Sequence, residues 1–188
     1  MEPTRRVPCR TRTPRLRPVL ALGIAAALLA GCGSDPGGTA GAEPEGVTSY
    51  EVVAGIHVTT PVEYPQTPPV GGKHNPVWLN CGIYDSPVPN ENAVHSLEHG
   101  AMWITYRPGL AAPELATLLK DVSGQPYALV SPYPGLPSPI VASVWGVQLK
   151  LSSASDPRLQ AFVDTFKSGT QAPEPGGECT GGVGTPQG

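Results

Sequence analysis

The sequence predicts an α+β domain: a small, mainly antiparallel sheet with two helices packed on one side and long proline-rich loops. Three observations carry this prediction. Short runs rich in β-branched and aromatic residues recur between proline clusters, as strands do. Two segments place apolar residues at helical spacing, each with its own start and stop signals. Proline and glycine, 24 and 23 of 188 residues, make up a quarter of the chain, while only 14% is charged. That much proline and glycine approaches a disordered composition, but so little charge does not describe a highly charged disordered chain.

The elements follow in order. Residues 51–59 (EVVAGIHVT) read as a strand interrupted by Gly55, and 101–107 (AMWITYR) as a second. Pro113 can start a helix in which Leu115, Leu118, Leu119 and Val122 form one apolar stripe, with Gly124 as its stop. Strands are predicted over 127–131 (YALVS) and 140–151 (IVASVWGVQLKL). Asp156 caps a second helix that has Pro157 in its first turn. Leu159, Phe162, Val163 and Phe166 form its inner face, and Gly169 ends it. The long segments 60–92 and 131–139 are expected to be ordered loops, and loops of that length point to function.

The first 32 residues read as an address. Arg5, Arg6, Arg10, Arg12, Arg15 and Arg17 precede an apolar stretch at 19–31 (VLALGIAAALLAG), which has the size of a signal-peptide core. A buried helix or short anchor would lack that basic flank. Leu29-Ala30-Gly31-Cys32 matches the lipobox of bacterial lipoproteins, in which the cysteine thiol is lipidated and becomes the mature N-terminus. The predicted organisation is a lipoprotein signal peptide at 1–31, a flexible tether at 32–49, a globular domain at 50–179 and a disordered tail at 180–188.

The expected location is the bacterial cell envelope, with the lipid on Cys32 holding the domain at the outer face of the cytoplasmic membrane. Cleavage before Cys32 leaves six basic and fourteen acidic residues, a formal charge of −8 against −3 for the whole chain. That balance argues against nucleic acid as a partner. Cys9 leaves with the signal, so Cys81 and Cys179 remain as one pair in an oxidising compartment. A disulfide between them is expected, with Cys81 as a free metal ligand the alternative.

All four histidines, His57, His74, His95 and His99, fall within the first part of the domain. The spacing of four puts His95 and His99 on one side of a helix or of a strand. One reading is a metal site of these imidazoles, joined by Glu98 or Met102. Imidazole suits zinc or copper, and a thioether would tilt the choice toward copper. A second is hydrolysis, because His95-Ser96-Leu97-Glu98-His99 has the H-x-x-E-H order of one zinc peptidase class. That class needs a long helix, and Gly100 follows here at once. The third is structural, with buried histidines hydrogen-bonding the backbone of proline-rich loops. The loop 68–76 (PPVGGKHNP) would deliver His74.

The run from Pro68 to Gly100, ending in Val94-His95-Ser96-Leu97-Glu98-His99-Gly100, resembles the bacterial domain-of-unknown-function 3105 family. Ser131-Pro132-Tyr133-Pro134, Ala142-Ser143-Val144-Trp145-Gly146 and Ala172-Pro173-Glu174 extend the resemblance over roughly 51–179. It implies an exported or membrane-associated protein and carries no established activity. The metal reading therefore rests on the residues: an envelope lipoprotein binding copper or zinc through His57, His74, His95 and His99, with Glu98 and Met102 as further candidates. The competing reading is an envelope scaffold that contacts a protein partner or glycan through its loops. Binding is preferred to catalysis in both.

Overall fold

The structure is a computed structural model that describes residues 43–187. The expected signal peptide, Cys32 and the tether as far as residue 42 lie outside the described residues. The elements are β1 (Val47–Ser49), β2 (Gly82–Ile83), α1 (Asn90–Glu98), β3 (Met102–Tyr106), α2 (Ala112–Val122), β4 (Ala128–Pro132), β5 (Ile140–Val144), β6 (Val147–Leu151) and α3 (Pro157–Phe166). The strands form one six-stranded sheet in the order β1-β6-β5-β3-β4-β2. Pairing is antiparallel from β1 through β6 and β5 to β3, and parallel for β3 with β4 and β4 with β2. Neighbouring parallel strands need a crossover, and α2 supplies the one between β3 and β4. The domain is α+β, as predicted.

Alternation along the strands sorts the core into two faces. Met102, Ile104, Val130, Ile140, Ala142, Leu149 and Leu151 face the side covered by α2 and α3. There they meet Leu118, Val122, Leu159, Phe162 and Val163. This is the helix layer that periodicity predicted. Asp156 caps α3 as expected, accepting from the Arg158 N–H at 3.0 Å. The Arg158 guanidinium lies beside the same carboxylate and holds its pKa below the usual range.

The other face carries Trp103 and Leu129 and is covered by α1 and the long loops. Sequence reading expected two helices; the described residues hold three. The third, α1, is buried from Ala93 to Glu98, and His95, Ser96 and Glu98 are among its buried residues. An amphipathic pattern is therefore missing. Its N-cap is Pro89, without a side-chain cap, so no start signal marks it either.

Three further expectations are corrected. The predicted strand over 51–59 is loop and contributes only His57 to an isolated bridge with His74. The sheet edge is taken instead by Val47–Ser49, from the end of the expected tether, which pairs with β6. Pairing reaches Tyr50, whose N–H donates to Gly146 O at 2.7 Å, and stops where β6 turns back into β5. The predicted strand over 140–151 splits at that hairpin, where Gly146 adopts φ +69°.

The tail expected to be disordered lies along residues 78–83 as far as Gln187. Asn80 N–H donates to Val183 O at 2.8 Å, Val183 N–H to Trp78 O at 3.0 Å and Gln187 N–H to Ile83 O at 2.7 Å. Backbone pairing and the Cys81–Cys179 disulfide hold a segment whose side chains bury little. No helix among the described residues is long and apolar enough to cross a membrane.

Candidate metal centre

The backbone bridge between His57 and His74 brings two loops together: Val58 N–H donates to His74 O at 2.7 Å, and His74 N–H to Ile56 O at 3.0 Å. Helix α1 lies against this pair and presents His95 and Glu98, three residues apart and so on one helical face. Ligand atoms of His57, His74, His95 and Glu98 all lie within 4.8 Å of one another. The three imidazoles form a nearly equilateral triangle, with centroids 4.9 Å (His57–His74), 5.0 Å (His57–His95) and 4.9 Å (His74–His95) apart.

The buried rings are oriented from behind. His74 Nδ1 is 2.8 Å from Gly72 O, His95 Nδ1 2.6 Å from Asn75 O and His99 Nδ1 2.6 Å from Glu178 O. A carbonyl oxygen only accepts, so each Nδ1 carries the proton and each neutral ring has its lone pair on Nε2. Structural hydrogen bonding by the histidines is therefore real, but it uses one nitrogen of each ring. The carboxylate is divided in the same way. Glu98 Oε1 accepts from Gly55 N–H at 2.7 Å, while Oε2 lies 2.9 Å from His74 Nε2 and 4.0 Å from His57 Nε2. The 2.9 Å contact lacks the alignment of a hydrogen bond. Both His74 Nε2 and Glu98 Oε2 are buried without a hydrogen-bond partner. Imidazoles anchored through one nitrogen with the other aimed at a shared point are the arrangement of metal-ligating histidines.

The surroundings are mostly dry. Trp145 stands edge-on to His74 at 6.1 Å and Trp78 edge-on to His95 at 5.8 Å. Burial holds the His95 pKa below its ordinary value despite the hydrogen bond to Asn75, and the neighbouring imidazoles push it further down. Without metal, its contribution to stability is full above the ordinary imidazole range. That contribution declines as pH falls from there toward the lowered folded value. His57, at 47% exposure, opens the cluster to solvent.

The other predicted site residues fall differently. His99 meets His95, with Nε2 atoms 3.1 Å apart, but the four-residue group does not include it. Met102 is buried on the opposite face of the sheet, among Ile104 and the α2–α3 core, because strand alternation turns it away. It does not join the cluster. Cys81 is disulfide-bonded to Cys179, with Cα atoms 5.3 Å apart, which removes it as a free ligand. The peptidase arrangement does not form: Glu98 stands among the ligand atoms, and His95 and His99 do not share that group. Sequence reading missed Glu174, whose Oε2 lies 3.8 Å from His99 Nε2. It also missed the carbonyls of Gly72, Asn75 and Glu178, which no side-chain pattern reports.

Ser96 holds the cluster's far wall. Its hydroxyl donates to Leu79 O at 2.7 Å and accepts from Leu79 N–H at 3.0 Å, all within the core. Ser96→Ala strands that carbonyl and is expected to cost about 1–3 kcal/mol. Urea unfolding measures this, and an unchanged midpoint would refute it.

Fold and cluster together define an α+β domain whose buried imidazoles and carboxylate could hold a metal ion. Residues 57–181 match the family model described as Protein of unknown function (DUF3105), and the chain belongs to that family. The match begins at His57 and spans every residue of the cluster. No curated protein and no solved structure matches the chain.

Proposed function

We propose that the domain binds one divalent ion, zinc or copper(II), through His57, His74, His95 and Glu98. The observation that carries this is the unpartnered pair His74 Nε2 and Glu98 Oε2, buried 2.9 Å apart beside two further imidazoles. Burying such atoms unpaired costs free energy, which a cation bound by both offsets. Three imidazoles and a carboxylate, with the thioether on the far face, suit zinc or copper(II) better than copper(I). The disulfide fits an oxidising, non-cytoplasmic compartment. Together with the basic–apolar–lipobox order of residues 1–32, it supports a lipoprotein anchored through Cys32 at the outer face of the cytoplasmic membrane. The role is storage, delivery or sensing of the ion in the envelope.

Metal analysis of untagged protein after incubation with Zn²⁺ or Cu²⁺ tests the reading. One equivalent is expected, and less than about 0.1 equivalent would sink it. His74→Ala should weaken binding by about 100-fold or more, beyond the roughly 10–100-fold effect of a merely orienting neighbour. Protons compete for the same Nε2 atoms, so affinity should fall as pH drops through the imidazole range.

A second reading, an envelope binding module, draws on an open cavity of about 540 Å³ formed by the proline-rich loops and lined by Val52, Ile56, Val58, Pro61 and Tyr64. Crosslinking to an envelope partner that survives His74→Ala would favour it.

A further inference from the structure

We propose a second, outer position for the ion, formed by His95, His99 and Glu174, which exchanges with the inner position through the shared Nε2 of His95. The proposal rests on the metal reading above and extends it to a route of entry and exit.

The geometry begins with the two Nδ1 atoms. Both are committed to carbonyls, His95 to Asn75 O and His99 to Glu178 O. Their Nε2 atoms therefore face each other as lone pairs at 3.1 Å. Two neutral acceptors at that distance repel, and a cation held by both removes the repulsion. The spacing also fits a shared ion. With metal–nitrogen bonds of about 2.0–2.1 Å and near-tetrahedral angles, two nitrogens on one ion lie about 3.0–3.4 Å apart.

His99 does not simply enlarge the inner set. Its aromatic neighbours are His95, at 4.6 Å, and Trp78, at 5.3 Å, whereas His57 and His74 neighbour His95 from another side. The His95 Nε2 has one lone pair and serves one ion at a time, so the two positions exclude each other.

Glu174 gives the outer position its charge and its access. Its Oε2 lies 3.8 Å from His99 Nε2, and its side chain is 61% exposed. The backbone beneath it is fixed: Glu174 N–H donates to Glu98 O at 3.0 Å and Gly176 N–H to His99 O at 3.1 Å. Gly177 lies flat on the imidazole, where a Cβ would come within 2.6 Å of His99 Cγ. An ion captured by Glu174 and His99 at the surface would reach His95 next, and then the buried His74 and Glu98.

Calorimetric titration of the full chain with Zn²⁺, disulfide intact, tests this. His74→Ala disables the inner position and should still bind one equivalent, more weakly. Adding His99→Ala should lower that residual affinity by about tenfold or more. An unchanged residual affinity would overturn the proposal, as would His99→Ala alone weakening the wild type as much as His74→Ala does, since that describes one enlarged site. Glu174 is exposed, so Glu174→Ala does not depend on refolding a core. It should leave final affinity within about twofold but slow loading about tenfold, read as quenching of tryptophan fluorescence by Cu²⁺. An unchanged rate overturns the route. If the wild type binds neither ion, the metal reading itself falls; if it binds and these variants behave alike, only the outer position falls.

Discussion

Zinc or copper(II) at a thousandfold excess over its dissociation constant is expected to raise the melting temperature by about 8–16 °C. The linkage is direct: an ion that binds only the native state adds about 4 kcal/mol at that excess. A domain of this size converts each kcal/mol into about 2–4 °C. The unfolded chain competes poorly, because His57, His74, His95 and Glu98 are brought together only by the loop bridge and its packing on α1. Thermal melts with and without metal measure the effect, and His74→Ala should abolish most of it. Equal melting temperatures for metal-free and metal-saturated wild type would contradict the prediction.

Removing the Cys81–Cys179 disulfide is expected to cost about 4–5 kcal/mol, since it closes a loop across 98 positions of sequence and a cross-link of that span strongly restricts the unfolded chain. The paired Cys81→Ser and Cys179→Ser variant, unfolded in urea beside the oxidised wild type, measures this. Coincident midpoints would refute it. The bond also has a local consequence. Cys81 N–H donates to Cys179 O at 2.7 Å, and the adjacent Glu178 O anchors His99. Loss of the bond should loosen His99 before it reaches His74, whose anchor is its own neighbour Gly72.

Much of the fold was legible because its signals are local. The helices α2 and α3 have an apolar face toward one core and a polar face toward water, so periodicity reports them. The strands β3, β4, β5 and β6 are β-rich runs between turn residues. Helix α1 broke the same rule for a physical reason. Its buried surface is partly chemical, with His95, Ser96 and Glu98 among Ala93, Val94 and Leu97, so the hydrophobic pattern is interrupted where the site lies. Residues 51–59 misled in the opposite direction. They have strand composition, yet Val53 is 65% exposed, because the sheet edge ends at Tyr50 and no strand remains to pair with them.

The sequence by itself determined the class of fold, the chemistry on offer and the choice of Cys81 and Cys179 as partners. These depend on residue type, order and count. Only the tertiary structure decided which of six candidate ligands meet. Strand alternation sends Met102 to the far face, and a backbone bridge pairs His57 with His74 across the 68–76 loop. Carbonyls from separate segments fix which nitrogen of each buried ring remains free. Those contacts are made by backbone atoms common to every residue, so they leave no mark in the sequence until the chain has folded.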